Sequence, residues 1–173
     1  MMKHRCSGNA TIEFTLVAIP LMCVLISTFE IARGMWIYHT LAYAVKEGAR
    51  YTAVRGQNSP NQIPLGGSGT SPTLPLCSYI TQQGPGLLPN QLTLSFTSFS
   101  GTLGPYTANN CPPTTIWPPT GTDALDNLPG QKIAITATYP FQSSILMFWP
   151  GAPGGFAFPS VTFPAQASEV MQF

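Results

Sequence analysis

The hydrophobic pattern divides the chain into an apolar N-terminal third and a mixed remainder. Residues 14–29 contain no charged side chain, and apolar residues continue before them from Ala10 to Ile12 and after them from Ile31 to Ile37. A run of this length approaches the ~20 residues that a helix needs to span a bilayer. It exceeds the core of a cleaved secretory signal, and no small-x-small cleavage site closes it. We therefore predict a retained membrane-spanning helix over residues 9–37.

Beyond residue 30 the helical pattern continues and becomes amphipathic, because apolar and small residues recur at three- and four-residue steps. That stripe contains Ile31, Met35, Tyr38, Ala42, Val45 and Ala49. We predict one continuous helix from about Ala10 to Arg55, roughly 65–70 Å long at 1.5 Å per residue. Pro20 would bend it, which membrane helices tolerate. The segment 38–56 would then extend beyond the bilayer and pack against other structure.

The remaining residues, 57–173, have a pattern of turns and short strands. Most of the 18 prolines and 16 glycines lie there, and residues 57–104 are so rich in turns that we predict an extended surface loop. Apolar and polar residues alternate at 92–97, at 133–139 and briefly at 161–163. These runs predict a half-buried antiparallel sheet whose apolar face the long helix covers. The expected fold class is α+β.

Charge and cysteine content narrow the classes of function. The net charge is +1 and only 8% of the residues are charged, so the chain lacks the basic surface of a nucleic-acid-binding protein. Positive residues flank both sides of the apolar run, and long exported domains can override the rule that places them inside. Cys77 and Cys111 are the candidate disulfide pair of the polar part, and a disulfide would favour export of that part.

The residue types that catalysis or metal binding requires do not come together in the sequence. His4 and His39 have no Cys, Asp or Glu nearby at the spacing of metal ligands. Asp123 and Asp126 are expected to cap a helix or a turn. We therefore expect no enzymatic activity, no cofactor, no metal and no small-molecule substrate.

Three blocks of residues together resemble the TadE-like family, pseudopilin-type proteins of tight-adherence (Flp, type IVb) pilus systems. The first is Gly8 followed by residues 10–14 (ATIEF) and the apolar run. The second is residues 29–34 (FEIARG) with the aromatic residues Trp36 and Tyr38 just after it. The third is residues 44–51 (AVKEGARY), which includes the helix motif Glu47, Gly48, Ala49, Arg50 and Tyr51. Residues 132–139 and 165–171 are similar to family endings but less specific.

The resemblance implies a bacterial inner-membrane protein that crosses the membrane once and has an exported, pilin-like C-terminal domain. Residues 1–8 would be a leader that prepilin peptidase removes by cutting between Gly8 and Asn9. The commoner residue after the cut is small and apolar, so Asn9 departs from the pattern. The further partners implied are other pilin or pseudopilin subunits and the pilus assembly machinery. The resemblance also gives Glu13 and Phe14 a role in processing or assembly.

For several residues the sequence allows two interpretations. Glu13 could pair with the α-amino group that cleavage creates at Asn9, or it could simply favour the positive N-terminal end of a helix dipole. The residues at the expected outer membrane boundary, Glu30, Arg33, Trp36 and Tyr38, could equally form a solvated helix face. Gly34 and Gly48 would either allow close packing of helices or merely be tolerated.

The main alternative function is an exported adhesin or binding domain that an uncleaved signal anchor holds. Its support is the low charge of the C-terminal part and four aromatic residues there, Tyr106, Trp117, Phe148 and Trp149.

Overall fold

The computed structural model describes residues 7–55, 62–67, 74–119, 128–143 and 160–172. Within these ranges the elements are α1 (Ser7–Ala53), α2 (Leu76–Gln83), β1 (Thr93–Thr97), β2 (Thr102–Thr107), β3 (Lys132–Phe141) and β4 (Val161–Val170). The chain divides into two compact units, of which one contains α1 up to Met35 and the other contains the rest of α1, α2 and the sheet. Most of the leader, both aspartates and the residues Phe148 and Trp149 lie outside the described ranges.

Helix α1 confirms the predicted long N-terminal helix. It contains 47 residues and continues through Pro20 as one element, which gives a length of about 70 Å. A proline removes one backbone hydrogen bond from a helix interior. Helix α1 nevertheless continues on both sides of Pro20 as one element.

The four strands form one antiparallel sheet in the order β2-β1-β3-β4. The longest pairing joins β3 to β4, from Lys132 opposite Val170 to Phe141 opposite Val161. The strands predicted at 92–97 and 133–139 are confirmed, whereas β4 extends far beyond the predicted residues 161–163. Strand β2 was not predicted, because Gly104 and Pro105 interrupt its alternation. An edge strand tolerates a proline, since one side of its backbone has no ladder partner.

The core lies between one face of the sheet and the second half of α1. From the helix, Leu41, Val45 and Ala49 are fully buried. From the sheet, alternate residues of β1 and β3 are the most deeply buried, which is the period expected when one face is covered, and the small Ala134 between two of them is buried as well. The alternate residues are Leu94, Phe96, Ile133, Ile135, Ala137 and Tyr139. The expectation that the helix covers the apolar face of the sheet is therefore confirmed.

The prediction of an extended surface loop over residues 57–104 was wrong. Helix α2 lies within it, and buried residues on both sides join the core, namely Ile63, Leu65, Leu76, Cys77 and Ile80. The eight residues of α2 contain neither Gly nor Pro, and Pro75 directly precedes the helix, where proline is well tolerated. Backbone hydrogen bonds from Leu76 to Pro64 (2.9 Å) and from Cys77 to Leu65 (3.0 Å) hold the segment in place.

The C-terminal residues close the far end of α1. The backbone N–H of Gln172 donates to the carbonyl of Ala53 at 3.1 Å, which satisfies one of the carbonyl groups that a helix end leaves unpaired. Next to it, Met171 is almost fully buried. Met171 is also bonded to the turn before β3: its backbone carbonyl accepts from the N–H of Gly130, and its own N–H donates to the carbonyl of Gln131.

Cys77 of α2 and Cys111 are disulfide-bonded across a sequence separation of 34 residues, with their Cα atoms 6.5 Å apart. In the chain-entropy model a loop of this length stabilises the folded state by about 3–4 kcal/mol. We predict that replacing both residues, Cys77→Ser with Cys111→Ser, lowers the free energy of unfolding by about that amount in urea denaturation of the detergent-purified protein.

The matched control is Cys23→Ser, which removes the free, exposed cysteine of α1 and should leave the unfolding midpoint unchanged. Mass spectrometry without reducing agent should also show that the wild-type chain is lighter, by the mass of two hydrogens, than the same chain after reduction. An equal midpoint for the double variant and the control would contradict a stabilising disulfide.

Gly48 lies where α1 contacts both α2 and β3. A Cβ atom placed on Gly48 would lie 2.6 Å from Cγ1 and 2.9 Å from Cδ1 of Ile80, and 3.6 Å from Cδ1 of Ile135. We predict that Gly48→Ala lowers the free energy of unfolding by about 1–3 kcal/mol, the usual cost of overpacking. The exposed Lys46→Ala on the same helix should change it by less than about 0.5 kcal/mol.

A double-mutant cycle tests the physical cause. In an Ile80→Ala background the two clashing carbons are absent, so the higher helix propensity of alanine, worth up to about 1 kcal/mol, should remain as a gain. An equal loss from Gly48→Ala in both backgrounds would show that the Ile80 contact is not the reason.

Candidate functional site

The first half of α1 exposes apolar side chains on every side. The large hydrophobic residues that are more than half exposed between positions 12 and 31 are Ile12, Phe14, Leu16, Val17, Ile19, Leu21, Met22, Val24, Phe29 and Ile31. A helix that is apolar all round belongs in a membrane or in the core of a large protein. The described helix is long and apolar enough to cross a membrane, and none of its most apolar window is buried in the structure.

The hydroxyl groups of this segment are satisfied within the helix itself. Ser27 donates to the carbonyl of Cys23 and Thr28 to the carbonyl of Val24, both at 2.8 Å. The hydroxyl of Thr15 donates in the same way to the carbonyl of Thr11. Such bonds to the residue four positions earlier remove the main obstacle to placing a hydroxyl in an apolar medium. The three polar residues are therefore compatible with an apolar surrounding.

Glu13 lies in the first turns of α1, and its side chain is exposed. The backbone of Gly8 and Asn9 is already helical, since α1 begins at Ser7. Residues 9 and 13 are four apart and thus neighbours on one helix face. An amino group created at Asn9 would be placed within reach of the Glu13 carboxylate of the same chain. Phe14, the next residue, is among the most exposed apolar residues.

The next charged residues along the helix form an ion pair. A guanidinium nitrogen of Arg33 lies 3.4 Å from a carboxylate oxygen of Glu30, and the Glu30 side chain is the less exposed of the two. Seventeen residues separate Glu13 from Glu30, which corresponds to about 26 Å along the helix. This distance is close to the ~30 Å thickness of the hydrocarbon core of a bilayer.

An aromatic cluster follows the ion pair, and half of it comes from the sheet. Tyr38 makes an edge contact with Phe163 of β4 (ring centroids 6.1 Å apart), and Phe163 in turn packs on Phe141 of β3 at 5.3 Å. Trp36 leaves 65% of its surface exposed. Trp36 and Tyr38 were expected from the sequence, whereas the two phenylalanines were not. The pattern that could have indicated them is an aromatic residue at the end of β3 and another near the start of β4.

The motif at residues 47–51 forms a packing site. Arg50 pairs with Glu47 at 3.3 Å, Gly48 contacts α2, and Ala49 is fully buried. Tyr51 stacks on Tyr79 with the ring centroids 4.1 Å apart, and its hydroxyl donates to the carbonyl of Leu74 at 3.2 Å. Gly48 and Tyr51 thus join α1 to α2 and to the segment before it.

Arg55 and Tyr79 flank the ring of Tyr51 at this packing site. The guanidinium of Arg55 lies 3.8 Å above the Tyr51 ring, a cation–π contact. Burial, reinforced by the negative charge of Glu47, raises the pKa of the Tyr79 hydroxyl above its ordinary value. The Tyr79 hydroxyl therefore stays protonated at neutral pH.

Of the four aromatic residues that supported the alternative of a binding domain, one is removed from the surface. Trp117 is fully buried and packs on Phe96, with ring centroids 5.2 Å apart. Tyr106 of β2 is partly buried and packs against the core. Phe148 and Trp149 lie outside the described residues. Trp117 therefore gives no support to a binding surface.

Among the described residues, no group of three or more His, Cys, Asp or Glu side chains is placed so that it could hold a metal ion. The candidate site is accordingly the exposed apolar half of α1, with Gly8, Asn9, Glu13 and Phe14 at its start and the Glu30–Arg33 pair at its end.

Comparison with known proteins bears on this same segment. No curated protein and no solved structure matches the chain. Residues 8–50 match the family model described as TadE-like protein. The matched range extends from the first turn of α1 to the packing motif, so it includes both the exposed apolar half and much of the buried half. The match confirms the resemblance expected from the sequence, over the part of the chain that forms most of α1.

Proposed function

We propose that the protein is a pseudopilin or minor-pilin-like membrane protein that takes part in assembly of a tight-adherence pilus. The observation that carries the proposal is the division of one helix into two halves within the range of the family match. The first half exposes apolar side chains all round, and the second half is buried against a small folded domain. Such a chain can be held in a membrane or among other helices while its domain is presented outside.

In this proposal the apolar half of α1 crosses the bacterial inner membrane once. Leaving so many large apolar side chains in water costs roughly 25 cal/mol for each Å² of apolar surface, so lipid or neighbouring helices must cover them. The sheet domain is exported. The disulfide between Cys77 and Cys111 supports this orientation, because such bonds persist in oxidising compartments outside the cytoplasm.

Prepilin peptidase removes the leader by cutting between Gly8 and Asn9. A glycine suits the position before the cut, because any side chain there would crowd a narrow protease site. The cut leaves an α-amino group at Asn9, with an ordinary pKa of about 7.7–8.0. A positive charge is thereby created at the very start of an apolar helix.

Glu13 provides the partner for this charge, either in the same chain or in a neighbouring subunit. A carboxylate in a low-dielectric medium is expensive unless it is paired, and the same holds for the amino group. Pairing between subunits would fix the register at which two helices pack side by side. The proposed role of Glu13 is therefore registration of subunits, with Phe14 as the adjacent apolar contact.

The proposal assigns assembly and not catalysis to the protein. The charged groups of the 47–51 motif pair with each other on α1, whereas Tyr51 stacks on Tyr79 and Gly48 approaches Ile80 and Ile135, which holds α1 on α2 and the sheet. The partners proposed are prepilin peptidase, other pilin or pseudopilin subunits and the assembly machinery.

Processing can be tested on protein purified from host membranes. We predict that its first residue is Asn9, as read by terminal sequencing and intact mass, and that Gly8→Val prevents the cut because the added side chain blocks the protease site. Ser7→Ala is the matched control, since it changes the neighbouring position by one atom and should be processed normally.

An intact Met1 start in the presence of active peptidase would contradict the processing proposal. It would favour the alternative, an exported adhesin or binding domain held by an uncleaved signal anchor. A start well after Glu30 would contradict both, since it would mean a secreted domain without its helix.

The role of Glu13 has its own test. We predict that Glu13→Ala lowers the amount of pilus, or of cross-linked subunit complex, on the order of a hundred-fold or more, because loss of one partner of a buried charge pair costs roughly 3–5 kcal/mol. Glu30→Ala, which alters the i,i+3 pair with Arg33 at the expected membrane boundary, should have a much smaller effect. Normal processing together with normal assembly in Glu13→Ala would refute the role.

A further inference from the structure

We infer that the sheet domain itself contacts the lipid headgroups, through the end at which α1 enters it. We call this surface the aromatic end, and it consists of Trp36 and Tyr38 of α1, Phe141 of β3, and Val161 and Phe163 of β4. The inference rests on the proposed function in one respect, since it takes the first half of α1 as the membrane anchor. Its new content is a second membrane contact, made by the sheet.

The direction of the strands places these residues together. Tyr38 contacts Phe163 near the start of β4, and Ala53 receives a hydrogen bond from Gln172 just after the end of β4. Helix α1 and strand β4 therefore run in the same direction. Because β3 is antiparallel to β4 and Phe141 pairs with Val161, the end of β3 lies at the same end of the domain. Trp36, the first residue of this compact unit, lies two residues before Tyr38 and is therefore at the same end.

The distances along α1 match the depth of a headgroup layer. Tyr38 follows Arg33 by five residues, which is about 7.5 Å along the helix. A bilayer of about 40–45 Å with a hydrocarbon core of about 30 Å has a headgroup region of roughly 5–7.5 Å on each side. With the Glu30–Arg33 pair at the edge of the hydrocarbon, Tyr38 and the rings packed on it lie at the outer margin of the headgroups.

The charged residues of the described domain lie away from the aromatic end, as a contact with lipid headgroups at that end requires. After Arg33, the charged residues of the described chain are Lys46, Glu47, Arg50, Arg55, Lys132 and Glu169. Lys46 is ten residues beyond Trp36, about 15 Å along the helix. In the sheet, Lys132 and Glu169 lie at the end opposite to Phe141 and Val161. The sequence between β3 and β4, residues 144–159, also contains no charged residue.

The side chains of the aromatic end suit a lipid surface of any charge. Trp and Tyr favour the membrane interface, where the ring meets apolar material and the polar tip meets water. Trp36 is 65% exposed and Val161 is 54% exposed, so both are accessible. The titratable group here is His39, whose ring makes an edge contact with Tyr38. With no acidic or basic side chain among the five residues, the contact should not depend on anionic lipid or on salt.

The experiment uses the full chain reconstituted in phosphatidylcholine vesicles, with a nitroxide spin label at one position. The label is placed at Val161→Cys in a background in which Cys6 and Cys23 are replaced by Ser. Val170→Cys is the matched control, because Val170 is 50% exposed and lies at the other end of the same strand. Vesicle flotation is measured first, so that failure of the anchor is distinguished from failure of the lipid contact.

We expect the label at position 161 to be severalfold less accessible to a water-soluble nickel chelate than the label at 170, and more accessible to oxygen. The difference should persist in 0.5 M NaCl, where the Debye length falls to about 4 Å. Equal accessibility at both positions in floating vesicles would overturn the inference. Shielding of position 161 that disappears on dilution of protein in lipid would also overturn it, since a neighbouring subunit would then be covering the surface.

Discussion

The structure depends on one helix that meets two incompatible surroundings. Between Ile12 and Ile31, α1 exposes apolar side chains in all directions, whereas from Leu41 onward it buries a single face against the sheet. Both halves belong to one helical element, Ser7–Ala53. The charged and aromatic residues between them, from Glu30 to Tyr38, are the types that tolerate a boundary between lipid and water.

The folded domain holds its part of the helix by close contacts. Gly48 brings the backbone of α1 against Ile80, and the disulfide ties the helix that contains Ile80 to Cys111. The tyrosine stack and the Arg55 contact lie at the same junction. In a domain with so few charges, these packed and covalent contacts hold the second half of α1 in place.

Elements with a strong period could be predicted from the sequence, and elements whose structure depends on distant partners could not. The apolar run, the amphipathic continuation and the strands around Leu94 and Ile135 each have the period of their element. Helix α2 contains only eight residues and lies among prolines, so its existence depends on backbone bonds to Pro64 and Leu65 and on Cys111. The family blocks located the candidate site. The pairing of Phe163 with Tyr38 depends on strand register, which the sequence left open.

The hydrogen bond from Gln172 to Ala53 has a consequence for how the protein reaches its folded state. The helix end is complete only when residues more than a hundred positions later have joined β4 to β3. Contacts of such large sequence separation form slowly, because the intervening loop must close first. The last turn of α1 is therefore completed late in folding, after the C-terminal strand has paired with its neighbour.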